Sequence, residues 1–420
     1  MTRLTGTIHV PGDKSISHRA LILGALAKGT TQISNLQVGE DVESTKRALK
    51  NLGVQIETSG SDVLVHGQGL NSFEAPESPI DCSNSGTTMR LFMGLLAAQN
   101  FNSMLIGDES LQARPMNRVA TPLRKMGAHI NLRDANYAPI EISGSLLGPI
   151  NYEVPVASAQ VKSAIMLAAL GCQGFTKLSG LIHSRDHTER MLELFGASIS
   201  TTNDTIELSG KQMLKPCKFE VPGDPSAAAF WVTAACLLPN SDILIPNVSL
   251  NPTRTGFIDV LREMGANIDI EVTSSEPEPA GKIRTCSSKL SAVSIDEAQV
   301  PRLIDEIPIL AIAMSQAEGV SQIRGAGELR VKESDRLIAI ANNLGAMGVD
   351  LELFDDGFRI PGPAKLKAAK IQTDDDHRIA MAFTIAGLLT HKPNNTTLDN
   401  SSCVQISYPA FFETLRGALS

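Results

Sequence analysis

The residues that folding alone does not require gather at a few places along the chain. One group is Lys14, Ser15, Ser17 and Arg19; a second is Asn84, Ser85, Gly86, Thr87, Thr88 and Arg90; a third is Ser158, Gln160 and Lys162. Further on stand Asp305 with Glu306, and Asp374, Asp375 and Asp376 with His377 and Arg378. Two basic phrases, Arg114-Pro-Met-Asn-Arg118 and Arg330-Val-Lys-Glu-Ser-Asp-Arg336, complete the set. Lysine and arginine among hydroxyls suit phosphate and carboxylate groups, through charge-assisted hydrogen bonds. The chemistry these residues point to is the binding of small, multiply charged anions.

Each element also has a plain explanation. Ser15, Ser85, Ser158 and Asp305 could be helix caps and nothing more. Lys332, Glu333 and Arg336 have the spacing of a solvated, salt-bridged helix face. Arg114 could be an ordinary loop arginine, and His18 and His377 hydrogen-bonded fold histidines. These readings weaken together, because the basic residues recur at one place in successive repeats. Independent surface charges have no reason to do that.

The repeats are visible in two phrases. Val10-Pro-Gly-Asp-Lys-Ser15 returns as Val221-Pro-Gly-Asp-Pro-Ser226, each copy followed by an Ala- and Leu-rich run. An amphipathic helix ending in glycine and leading into a strand recurs five times, with glycines at 53, 127, 196, 265 and 348. Glycine just past the last apolar residue is a usual helix stop, since it takes the left-handed conformation without steric cost. Six nearly all-apolar helices are expected near Ser15, Ser85, Ser158, Ser226, Asp305 and Asp376, and their composition predicts burial. The unit is thus a buried helix, strands, an amphipathic helix and a strand, six times over.

Three units make a domain, which predicts two domains of an α/β class. One spans residues 13–223 and the other joins residues 1–12 to 224–420, with crossings near 11–13 and 222–224. A helix N-terminus presents unpaired N–H groups and the positive end of a dipole, so it binds anions. Two such domains facing each other would enclose a cleft of helix N-termini, lysines and arginines.

Bulk properties agree with a soluble globular protein. The 420 residues exceed what one core usually supports. The formal net charge of −8 argues against a nucleic-acid or anionic-membrane partner. The beginning of the sequence lacks the apolar stretch of a signal peptide, and polar residues interrupt the long apolar runs, so a cytoplasmic location is expected. Cys82, Cys172, Cys217, Cys236, Cys286 and Cys403 are scattered without metal-ligand spacing and read as free thiols in a reducing compartment. Neither a metal nor an organic cofactor is expected, and a monomer is.

The phrases GDKSISHR, NSGTTMR, GDESLQARPMNR, SAQVKS, RDHTERML, ELRVKESDRL and DDHRIAMAF, in this order along nearly the whole chain, resemble the EPSP synthase (3-phosphoshikimate 1-carboxyvinyltransferase) family. The resemblance implies a two-domain fold, each domain of three βαββαβ repeats. It implies transfer of the enolpyruvyl group of phosphoenolpyruvate to the 5-hydroxyl of 3-phosphoshikimate, on the way to chorismate and the aromatic amino acids. It also implies a target of glyphosate, which mimics phosphoenolpyruvate.

By the same resemblance Lys14, Ser15, Arg19, Ser158 and Gln160 would hold phosphoshikimate. Lys14, Gly86, Arg114, Gln160, Arg336 and Arg378 would contact phosphoenolpyruvate. Asp305 and Lys332 would meet the shikimate ring hydroxyls; Asp305 and Glu333, with Lys14, would be the catalytic groups. Arg185 is a weaker candidate for the phosphate side. SAQ followed by lysine, RDHTE, and Asn251-Pro-Thr-Arg254 resemble the subclass common in Gram-positive bacteria. One departure is Ile406, where some members carry a lysine that contacts phosphoenolpyruvate.

Two alternatives compete. The sister enzyme that uses UDP-N-acetylglucosamine often carries a reactive cysteine ahead of its Arg-Pro phrase; Gly107–Pro115 holds none here. A non-catalytic two-domain anion-binding protein would explain the arginines but has no use for Asp305 and Glu333 among them.

Overall fold

The computed structural model describes residues 2–419. Its first repeat runs through helix α1 (Lys14–Leu26), strand Lys28–Ser34, helix α2 (Glu40–Asn51) and strands Gln55–Ser59 and Asp62–Gln68. The second contains α3 (Gly86–Ala97), the single turn α4 (Glu109–Gln112) and α5 (Asn117–Lys125), and the third contains α6 (Ala159–Ala169) and α7 (His187–Leu194). The fourth has α8 (Pro225–Leu237) and α9 (Gly256–Glu263), and the fifth has α10 (Ile307–Gln316) and α11 (Arg336–Ala346). The sixth has α12 (His377–Leu388) and α13 (Phe411–Ala418).

Among the described residues, each of the first five repeats completes one four-stranded sheet. The strand after the buried helix lies inside its sheet, parallel to one neighbour and antiparallel to the other. In the first sheet the order is Lys218–Glu220, Lys28–Ser34, Asp62–Gln68, Gln55–Ser59. Its register pairs Phe219 with Ile33, Ile33 with Val63, and Val65 with Ile56, so that one face is continuously apolar. A parallel pair cannot be joined by a tight turn and needs a crossover, usually a helix. Here that neighbour of Lys28–Ser34 comes from far along the chain. In the fourth sheet it comes from the start: Thr5–Thr7 lies parallel to Asp242–Ser249. The chain accordingly divides into two compact units, Gly12–Val221 and a second that joins the segment up to Pro11 to the segment from Pro222 onward.

Helices α1, α3, α6, α8, α10 and α12 fill the cores, as their composition predicts. In α8 every residue from Pro225 to Cys236 is buried. Their starts differ from the sequence expectation at three places. The cap of α1 is Asp13, which accepts from the Ile16 N–H at 2.8 Å, and Ser15 lies inside the first turn. The cap of α8 is Asp224, with Pro225 next, where its missing N–H costs nothing. Asp305 sits in a 3-10 turn, Ile304–Glu306, that leads into α10. A carboxylate two or three residues ahead reaches the exposed N–H groups as well as a serine does. Ser85, Ser158 and Asp376 do cap α3, α6 and α12.

The five phrase glycines each follow an amphipathic helix with φ between 78° and 100°. The sixth repeat has no such glycine, and its sheet consists of Lys370–Ile371 beside Thr397–Leu398. Helix α13 packs its aromatic end onto α8. Trp231 lies 5.3 Å, ring to ring, from Phe411, and its indole N–H reaches the Tyr408 hydroxyl at 3.3 Å. A low-aromatic chain thus gathers Phe230, Trp231, Tyr408, Phe411 and Phe412 into one cluster.

Candidate active site

In the unit Gly12–Val221 the groups singled out by sequence come from the N-terminal ends of α1, α3 and α6. Lys14, at the start of α1, places its ammonium 2.9 Å from Asp41 of α2. Arg19 lies one turn on and is almost wholly buried. Its Nη1 donates to the Ser15 carbonyl at 2.9 Å, its Nε to Thr188 Oγ1 at 2.6 Å and its Nη2 to Ser163 Oγ at 2.6 Å.

Gly86 opens α3 beside two arginines. A Cβ there would stand 3.2 Å from Arg90 Nη1 and 3.5 Å from Arg114 Nη1. Arg114 is no ordinary loop arginine: it is 7% exposed, and its Nη2 donates to Asn84 Oδ1 at 2.6 Å and to Ser110 Oγ at 3.1 Å. Arg90 donates to Gln160 Oε1 at 2.7 Å, and Gln160 Nε2 in turn reaches Thr87 Oγ1 at 3.0 Å. Ser158 is the cap two residues earlier. The amide of Gln160 is therefore oriented by a guanidinium on one side and a hydroxyl on the other. Arg185 is half-buried in the turn before α7.

In the second unit the centre is Arg336, the first residue of α11. It is no member of a solvated helix face, being 0% exposed. Lys332 and Glu333 precede the helix rather than sharing it. Arg336 Nε lies 2.7 Å from Asp376 Oδ2, Nη2 lies 2.6 Å from Glu333 Oε2, and Nη1 lies 3.3 Å from Asp305 Oδ1. Asp305 also approaches the Lys332 ammonium at 3.6 Å and the Arg378 Nη2 at 3.9 Å, while Arg378 Nη1 takes the Asp305 carbonyl at 3.0 Å. Burial alone would raise the Asp376 carboxyl, but the Arg336 charge beside it holds it below the ordinary carboxylate value. Burial likewise disfavours the charged guanidinium, and Asp376, Glu333 and Asp305 outweigh that, pushing Arg336 above its ordinary value. One rigid arginine thus fixes three carboxylates, two of which keep partial access to solvent, with side chains 13% and 19% exposed for Asp305 and Glu333.

This is the donor inventory expected for an oxyanion substrate that must also exchange protons. A family model described as EPSP synthase (3-phosphoshikimate 1-carboxyvinyltransferase) matches residues 1–415. The chain belongs to the EPSP synthase family. It is 47% identical over 414 residues to the 3-phosphoshikimate 1-carboxyvinyltransferase of Bacillus cytotoxicus, covering 98% of this chain and 97% of that one. It is 48% identical to the Geobacillus thermodenitrificans protein of that name over 423 residues, covering 100% and 98%. Among solved structures, EPSP synthase from Acinetobacter baumannii superposes with a TM-score of 0.88 at 41% identity, covering 100% of this chain and 98% of that one. The enolpyruvyl transferase NikO from Streptomyces tendae shares the fold at 18% identity, with a TM-score of 0.80 and coverage of 99% and 95%.

Several partners of the EPSP synthase motifs had no role assigned from sequence. Asp41 could not be found that way, because nothing near it points to a lysine 27 positions back. Asn84, Arg90 and Asp376 stood among the unusual residues at helix starts; only coordinates tie them to Arg114, Gln160 and Arg336. Ile406 ends a 3-10 turn, Ser402–Ile406, and packs partly buried against the apolar core of its unit. His18 and His377 are both fully buried.

Proposed function

We propose that this chain transfers the enolpyruvyl group of phosphoenolpyruvate to the 5-hydroxyl of 3-phosphoshikimate. The hydroxyl oxygen bonds to C2 of phosphoenolpyruvate as its proton leaves, and C3 gains a proton. The resulting tetrahedral intermediate then loses one proton from its C3 methyl group and expels phosphate, giving 5-enolpyruvylshikimate 3-phosphate. Asp305 and Glu333 are the proton-transfer groups, with Lys14 beside the reacting atoms. Lys14, Ser15, Arg19, Ser158, Gln160, Asp305 and Lys332 hold phosphoshikimate. Lys14, Gly86, Arg114, Gln160, Arg336 and Arg378 hold phosphoenolpyruvate, where fixed cations stabilise charge without reorganising during the reaction. A monomer is part of this reading, and substrates of central metabolism support a cytoplasmic location.

The observation that carries this reading is the binding of Asp305 and Glu333 to the one buried guanidinium of Arg336. A protein that only bound anions would gain nothing from two carboxylates on its cation. Glu333→Gln keeps the shape and removes the proton-transfer capacity. It should lower kcat by about a hundredfold or more, with phosphoshikimate affinity much less changed. Turnover within about threefold of wild type would make Glu333 a mere partner of Arg336.

A further inference from the structure

Arg19 is held by two hydroxyls that belong to another repeat, and the direction of every hydrogen bond among them can be worked out. Ser163 lies on α6 and its hydroxyl hydrogen goes to the Ala159 carbonyl, 2.7 Å away. Its oxygen is also 2.6 Å from Thr188 Oγ1 of α7. With the serine hydrogen already committed, Thr188 is the donor in that contact. Each oxygen then has a lone pair for the arginine: Thr188 Oγ1 accepts from Nε and Ser163 Oγ from Nη2. These two bonds grip one edge of the planar guanidinium, and the Ser15 carbonyl takes Nη1. A fork held at three points has its plane fixed.

The hydroxyl pair is itself clamped at the adjoining residues. Lys162, next to Ser163, places its ammonium 2.6 Å from Glu189, next to Thr188, and 2.8 Å from the Ile182 carbonyl. Both side chains of this ion pair are nearly dry, at 2% and 6% exposure. Helices α6 and α7 are thereby fixed to one another where they present the two hydroxyls.

The fold does not require an arginine at this place. Arg19 stands four residues after the serine of the first Val-Pro-Gly-Asp phrase, and the residue four after the serine of the second is Phe230. Phe230 is buried and packs edge-on against Phe411, 6.2 Å between ring centres. An apolar side chain therefore serves the duplicated helix, and the arginine with its two hydroxyls belongs to one unit's function.

We propose that Thr188 and Ser163 are positioning residues for the acceptor substrate: they hold Arg19 in the orientation that binds phosphoshikimate, and contribute nothing to phosphoenolpyruvate binding or to the chemical steps. This rests on the assignment of Arg19 to phosphoshikimate made above. Neutral holders suit the task, because a hydroxyl orients a guanidinium without cancelling its charge.

The test is steady-state kinetics of the full chain with each substrate varied in turn. Thr188→Val keeps the shape and removes the acceptor; it should raise the phosphoshikimate KM by about tenfold, leaving the phosphoenolpyruvate KM and kcat within about twofold. Ser163→Ala should act the same way, and Thr188→Ser should restore the wild-type KM. In an Arg19→Ala background, Thr188→Val should add nothing to the phosphoshikimate KM, a non-additivity that a purely structural role would not produce. An unchanged phosphoshikimate KM in folded Thr188→Val, or an equal rise in both KM values, would overturn the proposal. If Arg19→Ala itself left phosphoshikimate binding intact, both the proposal and the assignment beneath it would fall, and that variant tells the two failures apart. Should Thr188→Val not fold, Ser163→Ala and Thr188→Ser carry the same comparison.

Discussion

At the scale of single residues, Gly86 shows how little room the candidate site leaves. It begins α3 with ordinary backbone geometry, so alanine is acceptable to the chain itself. The added methyl group would press toward Arg90 and Arg114, at 3.2 and 3.5 Å. Glyphosate is a longer mimic of phosphoenolpyruvate and loses more when the space before those guanidinium groups narrows. Gly86→Ala should therefore raise the glyphosate inhibition constant more than the phosphoenolpyruvate KM, measured in one kinetic series. Equal increases would show that the methyl does not discriminate the two ligands. Gly86 was legible because its motif is distinctive. Asp41 was not, since an ion pair between α1 and α2 leaves no local signature.

At the scale of elements, a buried relay links the first three helices of the unit Gly12–Val221. Thr88 Oγ1 donates to Ser85 Oγ, so Thr45 must donate to Thr88 and the His18 Nδ1–H must donate to Thr45. The ring therefore carries a proton on Nδ1, and among the described residues Nε2 has no hydrogen-bond partner. Burial, with the Lys14 and Arg19 charges nearby, pushes His18 well below the ordinary imidazole value of 6.5. His18 in the folded protein then takes up its proton only at lower pH than in the unfolded chain. Stability contributed by neutral His18 is complete above the unfolded value and is lost as pH falls below it, by about 1.4 kcal/mol per pH unit. In urea unfolding, wild type should lose about that much more than His18→Asn between pH 7.5 and 5.5. A gap between the two proteins that stays constant with pH would mean that folded His18 takes up its proton over the same pH range as in the unfolded chain.

Helix ends were the most legible elements, because a glycine after an apolar stripe has a stereochemical cause. The five phrase glycines all take positive φ. Caps were less so: aspartate and serine compete for the same N–H groups, and Asp13 and Asp224 hold that place ahead of Ser15 and Ser226. The spacing of Lys332, Glu333 and Arg336 fitted an exposed helix face, yet α11 begins only at Arg336. Periodicity cannot tell a helix from the turn before it.

At the scale of the whole molecule, duplication made the architecture readable. Five copies of the glycine phrase correspond to five antiparallel hairpins, and the missing sixth copy to the two-stranded sheet. The cluster of Trp231, Tyr408 and Phe411 could not be read, because aromatic contacts across 177 residues carry no sequence pattern. Thr5–Thr7, which joins the fourth sheet, lies just ahead of the first of the paired Val-Pro-Gly-Asp phrases. A molecule that joins phosphoenolpyruvate to 3-phosphoshikimate releases inorganic phosphate in step with its product. Purified protein given both substrates should release one phosphate for each 5-enolpyruvylshikimate 3-phosphate formed, with no added metal or cofactor, and should release none when UDP-N-acetylglucosamine replaces phosphoshikimate. Phosphate release with UDP-N-acetylglucosamine, or tight binding of both substrates with no phosphate released, would contradict it.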